Sequence, residues 1–178
     1  MFVSLQELER HAVDFKIDIP AGEIEYDGHL KQATPLHAEG VVELTNSAIG
    51  EIQIRGSLRV TVESACDRCL ETASFPIQKE FALSYYPVEQ FQGGGEDEID
   101  EEESEIAYYD GGGLQLQDIL REVVLLSAPM QFICSESCKG ICPNCGQNRN
   151  QQDCQCQVQP VDDRWTQLKA IRIAPAPQ

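Results

Sequence analysis

The chain has 178 residues, of which 42% are hydrophobic, and its formal charge at pH 7 is −17. This length fits one ordinary domain with a small appendage and allows a substantial apolar core. The charge argues against broad docking on a nucleic-acid backbone, which needs many Lys and Arg contacts, and it favours a basic protein partner.

The negative charge is unevenly distributed along the chain. Residues 96–105 hold eight acids and no base, whereas residues 130–178 hold four acids and five bases. We interpret residues 90–105 as a flexible acidic surface loop, because they have too little apolar surface to offset the entropy lost on ordering. The cysteine-rich end is therefore the one part of the chain that is not acidic.

The first residues, MFVSLQELERHAVDF, mix charged and apolar side chains without a basic start or a long apolar run. We therefore expect neither a signal peptide nor a membrane span, and we expect a cytoplasmic protein. A reducing compartment disfavours disulfides, so metal binding is the better explanation of paired thiols and disulfides are the weaker one.

Alternating apolar residues predict strands in the N-terminal half. One run extends from Ile52 to Val62, with a bend or bulge expected at Gly56, and a second extends from Phe75 to Tyr85. Together they predict a hairpin. Further positions suggest more strands of one antiparallel sheet: Ile17, Ile19, Ile24, Tyr26, Leu36, Ala38, Val42 and Leu44.

Two helices are predicted after the sheet. Apolar residues at helical spacing predict an amphipathic helix over about residues 114–127, and Pro129 provides its stop. Beyond the cysteines, Trp165, Leu168 and Ile171 share one face of a short terminal helix.

These elements predict an α+β protein with two parts. Residues 1–129 form an antiparallel β-rich domain that includes the acidic loop and the amphipathic helix. Residues 130–178 form a cysteine-rich zinc-knuckle module with the short C-terminal helix.

The eight cysteines divide into two sets of four. The motif CPNCG is typical of a zinc knuckle, because proline and glycine favour a tight turn whose N–H groups point at the sulfurs. A local site is therefore predicted from these ligands: Cys142, Cys145, Cys154 and Cys156.

The remaining cysteines predict a second, long-range site: Cys66, Cys69, Cys134 and Cys138. The first two lie at the tip of the predicted hairpin, where a short turn aims both sulfurs the same way. The alternative is that these thiols are small buried apolar groups. Exchange of Cys138 and Cys142 between the sets also stays open, so the prediction is one or two structural zinc ions.

Closed four-cysteine coordination leaves no position for water or substrate, so such zinc is structural. The sequence has no G-x-S-x-G, H-E-x-x-H, GK[ST] or G-x-G-x-x-G motif, and its three histidines lack a catalytic context. We therefore expect no enzymatic activity and no small-molecule substrate.

Several motifs in fixed order carry a family resemblance: CDRCL after an alternating strand, an acidic insertion, a helix ending in proline, CKGICPNCGQNRN, a C-x-C pair and DDRWTQLKAI. In this combination the chain resembles the YceD-type family of large ribosomal RNA subunit accumulation proteins. The resemblance implies a non-enzymatic factor for accumulation of 23S rRNA and assembly of the large ribosomal subunit. A bacterial cytosol is favoured over plastid import, because a Ser- and Arg-rich leader is not seen.

The expected partner is a ribosomal precursor particle, contacted through a basic ribosomal protein and through 23S rRNA. Six residues are candidates for contact with RNA or a partner: Lys139, Arg149, Arg164, Trp165, Lys169 and Arg172. For Trp165, an apolar anchor is the alternative to stacking on a base. Two other functions are considered: a thiol redox-sensing or metal-handling protein, and a zinc-dependent hydrolase.

Overall fold

The computed structural model describes residues 1–26, 28–88, 106–110 and 112–156. The predicted acidic loop 90–105 and the predicted terminal helix lie outside these residues. The elements, in chain order, are β1 (Phe2–Ser4), α1 (Leu5–Leu8), β2 (Val13–Ile19), β3 (Lys31–Gln32), β4 (Leu36–Asn46), β5 (Glu51–Ala65), β6 (Thr72–Pro87), β7 (Ile106–Tyr109), β8 (Gly113–Gln115) and α2 (Leu116–Ser127).

Most of the strands belong to one sheet. Its main order is β2-β4-β5-β6-β7, and β3 also pairs with β5, while β1 and β8 form a separate antiparallel pair. The pairing of β6 with β7 is parallel, whereas the other pairs are antiparallel. The prediction of an antiparallel sheet is thus right for most of the strands and wrong for this edge, where the sheet is mixed.

The predicted hairpin is confirmed and is longer than the sequence pattern indicated. Its two strands, β5 and β6, have 15 and 16 residues and stay in register from Ile52 opposite Tyr85 to Ala65 opposite Thr72. Alternate residues of β5, beginning with Ile52 and Ile54, are buried, which is the period expected of a strand with one face on the core. The hairpin therefore projects its tip, with Cys66 and Cys69, beyond the sheet.

The predicted bulge at Gly56 is wrong, because Gly56 pairs regularly with Gly40 on one side and with Phe81 on the other. Gly40 and Gly56 instead allow their two strands to approach each other closely. A Cβ on Gly56 would lie 2.6 Å from the carbonyl oxygen of Glu39 and 3.2 Å from the ring of Phe15. The close approach of two strands beneath a buried aromatic ring explains why glycine occupies both positions.

Ile24 and Tyr26 are buried in the core but do not form a strand, contrary to the sequence prediction. The buried side chain of Gln32 supplies the reason. Its Oε1 accepts from the N–H of Ile24 at 3.2 Å, and its Nε2 donates to the carbonyl of Ile19. A side-chain amide thus satisfies backbone groups of this loop that a neighbouring strand would otherwise pair.

The amphipathic helix is confirmed as α2, which begins two residues later than predicted because residues 113–115 pair with β1 as β8. Its buried face joins the core of the sheet. The helix ends at Ser127, and Ala128 is extended (ψ 142°), as expected for a residue that precedes proline. Neither helix of the described residues is long and apolar enough to cross a lipid bilayer.

We expect Gly40→Ala to lower the free energy of unfolding by about 2 kcal/mol or more, because its Cβ would collide with the Arg55 carbonyl oxygen inside the sheet. The control is Ser57→Ala, at the position next to Gly56 in β5, which should change the free energy of unfolding by less than about 0.5 kcal/mol. Urea denaturation followed by circular dichroism measures both values. Equal stability of the two variants would contradict the role given to the glycine pair.

Candidate metal centres

The first group of cysteines closes the hairpin tip onto the chain that leaves α2. The sulfurs of Cys66, Cys69, Cys134 and Cys138 all lie within 4.8 Å of one another. The distance between the sulfurs of Cys66 and Cys138 is 3.9 Å, and that between Cys69 and Cys134 is 3.7 Å. Cys134 is exposed and the other three are buried.

The second group is local in sequence and lies closer to solvent. The sulfurs of Cys142, Cys145, Cys154 and Cys156 also lie within 4.8 Å of one another. Cys142 is buried, but Cys145 and Cys156 are exposed. The sequence left open whether Cys138 and Cys142 exchange between the two sets. In the structure, Cys138 lies in the first group and Cys142 in the second.

None of the eight cysteines forms a disulfide. Sulfurs 3.7 and 3.9 Å apart are far beyond the roughly 2.0 Å of a disulfide bond. Four thiols converging on one point are a ligand set for a soft or borderline metal ion. Each group can hold one metal ion.

The two C-x-x-C loops have the same backbone hydrogen bonds. In the first loop, the N–H of Leu70 donates to the carbonyl of Cys66 at 2.8 Å, and in the second the N–H of Gly146 donates to the carbonyl of Cys142 at 2.8 Å. Each first cysteine also donates its N–H to the carbonyl five residues later. The sequence identified only the second loop as a knuckle, but the structure shows two.

The loops differ in the residue that follows the second cysteine. The position has a left-handed backbone in both, with φ 74° at Gly146 and φ 64° at Leu70. Among the described residues, Leu70 is the one non-glycine with positive φ. A left-handed backbone costs a residue with a Cβ about 1–2 kcal/mol relative to the right-handed form. The backbone conformation of the turn therefore does not favour leucine at position 70.

Contacts outside the sulfurs hold the first group together. The N–H of Asp67 donates to the carbonyl of Phe132 at 2.7 Å, and the N–H of Phe132 donates to the carboxylate of Asp67 at 2.8 Å. The ring of Phe132 meets that of Phe75 edge to face, with centroids 5.0 Å apart. The hairpin and the segment after α2 are thus joined by backbone, carboxylate and aromatic contacts as well as by cysteines.

One backbone carbonyl and one side-chain amide connect the first group with the second. Arg68 donates to the carbonyls of Glu136 and Cys138, and its own carbonyl accepts from the N–H of Ile141 at 2.8 Å. Asn150, from the loop of the second group, donates to the sulfur of Cys138 at 3.2 Å. Such N–H···S contacts orient a thiolate and disperse its charge.

Backbone N–H groups favour the thiolate of the first cysteine in each loop. Burial raises the pKa of Cys66, but hydrogen bonds led by the N–H of Cys134 outweigh it and bring the pKa down to about 6. The N–H of Cys145 is the largest influence on Cys142, whose pKa is also lowered to about 6. In each group, hydrogen bonds thus favour the thiolate of one cysteine, which is the form that binds metal.

The predicted contact residues are only partly described. Lys139 is half exposed, and its ammonium lies 3.4 Å from the carboxylate of Asp153, so its charge is locally balanced. Arg149 is exposed and lines a cavity of about 360 Å³ that also contains Cys142, Cys154 and Cys156. The other candidates lie outside the described residues: Arg164, Trp165, Lys169 and Arg172.

The sequence reasoning missed Asp67, Arg68, Leu70 and Asn150. The first three lie in the loop CDRCL, and a comparison of CDRCL with CPNCG places Leu70 at the position of the knuckle glycine. That signal could have identified a second knuckle. No sequence signal pointed to Asn150, because its contact with Cys138 depends on how the two loops pack.

The family profile described as "Large ribosomal RNA subunit accumulation protein YceD" matches residues 54–172, which contain all eight cysteines. The chain is 27% identical over 143 residues to "Large ribosomal RNA subunit accumulation protein YCED homolog 1, chloroplastic" of Arabidopsis thaliana. That alignment covers 68% of this chain but only 44% of the plant protein, so the chain spans less than half the length of that relative.

No solved structure matches the chain. The family profile covers more than half of the chain, and its matched residues include both C-x-x-C loops and both cysteine groups. The chain therefore belongs to the YceD family of large ribosomal RNA subunit accumulation proteins.

Proposed function

We propose that this chain is a non-enzymatic factor for accumulation of 23S rRNA and for assembly of the large ribosomal subunit, with zinc as a structural ion. The observation that carries the proposal is the family match over residues 54–172, which contains both four-cysteine groups. The name of the plant relative also refers to large ribosomal RNA subunit accumulation.

Zinc is the metal that the ligand set favours. A Zn–S bond of about 2.3 Å in tetrahedral geometry separates two sulfurs by about 3.8 Å. The sulfur pairs of the first group are 3.9 and 3.7 Å apart, close to that edge length. The second group offers the same four ligands within 4.8 Å, so we assign two zinc ions.

The proposed role of zinc is to hold the fold. Four thiolates fill the tetrahedral shell and leave no position for a water or a substrate, which argues against a zinc-dependent hydrolase. When bound, each ion supplies a cross-link among four sulfurs. The chain's own residues provide the contact surface around that cross-link.

Charge guides the choice of partner. The chain carries −17, and each zinc with four thiolates adds a further local charge of about −2. A basic ribosomal protein on the precursor particle matches this surface, in the cytoplasm and without a membrane or a small-molecule substrate. Contact with 23S rRNA is assigned to the bases of the cysteine-rich end, such as Arg149.

A second candidate function, thiol redox sensing, is favoured by one observation. Cys145 and Cys156 are exposed in the second group, whereas in the first group only Cys134 is exposed. Exposed thiolates are the ones that oxidants reach first. The zinc of the second group would then be the one released.

The zinc assignment predicts different effects of Cys69→Ser and Cys145→Ser. Each variant should retain one zinc per chain instead of two, measured by elemental analysis. Cys69→Ser should also lower the free energy of unfolding by several kcal/mol, because it opens the cross-link between the hairpin and the chain after α2. Cys145→Ser serves as the matched control and should leave the unfolding of the sheet nearly unchanged. Two zinc ions retained in both variants would contradict the assignment.

Charge reversal tests the proposed contact with the precursor particle. The variant with Arg149, Lys169 and Arg172 changed to Glu should co-sediment less with large-subunit precursors and should not restore the 23S rRNA level in cells that lack the protein. The control carries the same change of charge at Lys16, Arg59 and Lys79, on the sheet, and should behave like the unmodified chain. Co-sedimentation that is unchanged by the first variant would remove this contact surface.

Peroxide distinguishes redox sensing from a purely structural role. Two thiolates of the second group would transfer two electrons to one hydrogen peroxide, which takes up two protons and becomes two waters while a disulfide forms. A sensor should release one zinc per chain at mild peroxide and change its co-sedimentation at the same dose. Retention of both zinc ions up to the dose that unfolds the chain would exclude sensing.

A further inference from the structure

The loop 146–153 lies between two cysteines of the second group and also contacts the first group. Its sequence, GQNRNQQD, contains no apolar side chain. A segment of this composition cannot be held in place by an apolar core. Its position therefore depends on hydrogen bonds and on the cysteines that flank it, Cys145 and Cys154, whose sulfurs converge with the others of the second group.

One amide of this loop reaches a sulfur of the first group. Asn150 donates from its Nδ2 to the sulfur of Cys138 at 3.2 Å, and its Oδ1 accepts from the backbone N–H of Lys139 at 2.7 Å. Because a backbone N–H can only donate, the contact with Lys139 fixes the position of the amide oxygen and leaves the amide N–H facing the sulfur. Such a hydrogen bond orients a metal-binding thiolate and disperses its charge.

A second contact joins the same loop to the turn of the first group. The carboxylate of Glu71 accepts from the amide of Gln151 at 3.0 Å and from the amide of Asn148 at 3.3 Å. The backbone carbonyl of Glu71 accepts from the N–H of Cys66 at 2.8 Å. Glu71 thus contacts the loop through its side chain and a cysteine of the first group through its backbone.

We propose that Asn150 is a positioning residue that couples the two cysteine groups, so that a metal ion bound by the second group raises the affinity of the first. An ion at the second group fixes both ends of the loop and thereby holds the amide of Asn150 against Cys138. Without that ion, ordering the loop costs conformational entropy that binding at the first group has to offset. Coupling of binding equilibria is reciprocal, so an ion at the first group raises the affinity of the second by the same factor. The inference rests on the two zinc ions of the proposed function.

Three versions of the full-length chain measure the coupling. Cys145→Ser leaves the first group alone intact, and Cys69→Ser leaves the second group alone intact. Competition for zinc with a chromophoric chelator gives the binding constant of each. The coupling factor is the overall constant for binding two ions to the unmodified chain, divided by the product of those two constants. We expect a factor of about five or more, which begins at the lower end of the usual range for coupled sites.

The same measurement on chains that also carry Asn150→Ala should give a coupling factor of about one, because the N–H···S contact is lost. Gln152→Ala is the matched control, since Gln152 is an exposed amide of the same loop that contacts Asn148 through its backbone N–H. Its coupling factor should equal that of the unmodified chain. Glu71→Ala removes the other contact between the loop and the first group and should lower the factor as well.

A spectrum separates this role from a merely structural one. In protein loaded with Co²⁺ at both groups, Asn150→Ala should shift the sulfur-to-cobalt charge-transfer band to longer wavelength, because a thiolate without its hydrogen bond is easier to oxidise. Gln152→Ala and Glu71→Ala should leave the band in place, and circular dichroism checks that each variant is folded.

Two results would overturn the inference: a coupling factor of about one in the unmodified chain, or a factor that Asn150→Ala leaves unchanged. Either result leaves the zinc assignment intact as long as the unmodified chain binds two ions. Binding of fewer than two ions would contradict the zinc assignment, and this inference with it.

Discussion

The sulfur contacts between the hairpin tip and the chain that leaves α2 are the constraint on which the site depends. The β5–β6 hairpin extends beyond the sheet, and at its end the chain has too few apolar residues to form a core of its own. The buried cluster there consists of Cys66, Cys69 and Cys138 with Ile133 packed against it. A structural unit with so small an apolar core needs a cross-link, and four converging thiols can provide one by binding an ion.

Backbone and side-chain contacts join the second cysteine group to the first. The carbonyl of Arg68 in the first loop accepts from Ile141, and Gly140 has room for no Cβ because that same carbonyl lies 2.9 Å from the position a Cβ would take. Asn150 contacts a sulfur of the first group from the other loop. The two cysteine groups are therefore packed against each other as neighbouring parts of one polar cluster.

Much of this arrangement could be predicted from the sequence. Period-two apolar residues gave the hairpin, helical spacing and Pro129 gave α2, and cysteine spacing gave the composition of both groups. The parallel β6–β7 edge could not be predicted, because a strand's direction in the sheet depends on a connection and not on its own pattern. The irregular path of Ile24 and Tyr26 depends on one buried amide, that of Gln32, and the role of Gly56 depends on a strand that is remote in sequence.

The difference in sequence separation within the two groups has a consequence for the order of folding. Cys66 and Cys138 are 72 residues apart, whereas Cys142 and Cys156 enclose a short loop. Closing the longer loop costs about 1.5 kcal/mol more in chain entropy, and it also requires the hairpin and α2 to be in place. The local group, from Cys142 to Cys156, can bind an ion as soon as its own residues have been synthesised. An ion bound at the long-range group would therefore require the sheet, α2 and the segment of Cys134 and Cys138 to be packed together already.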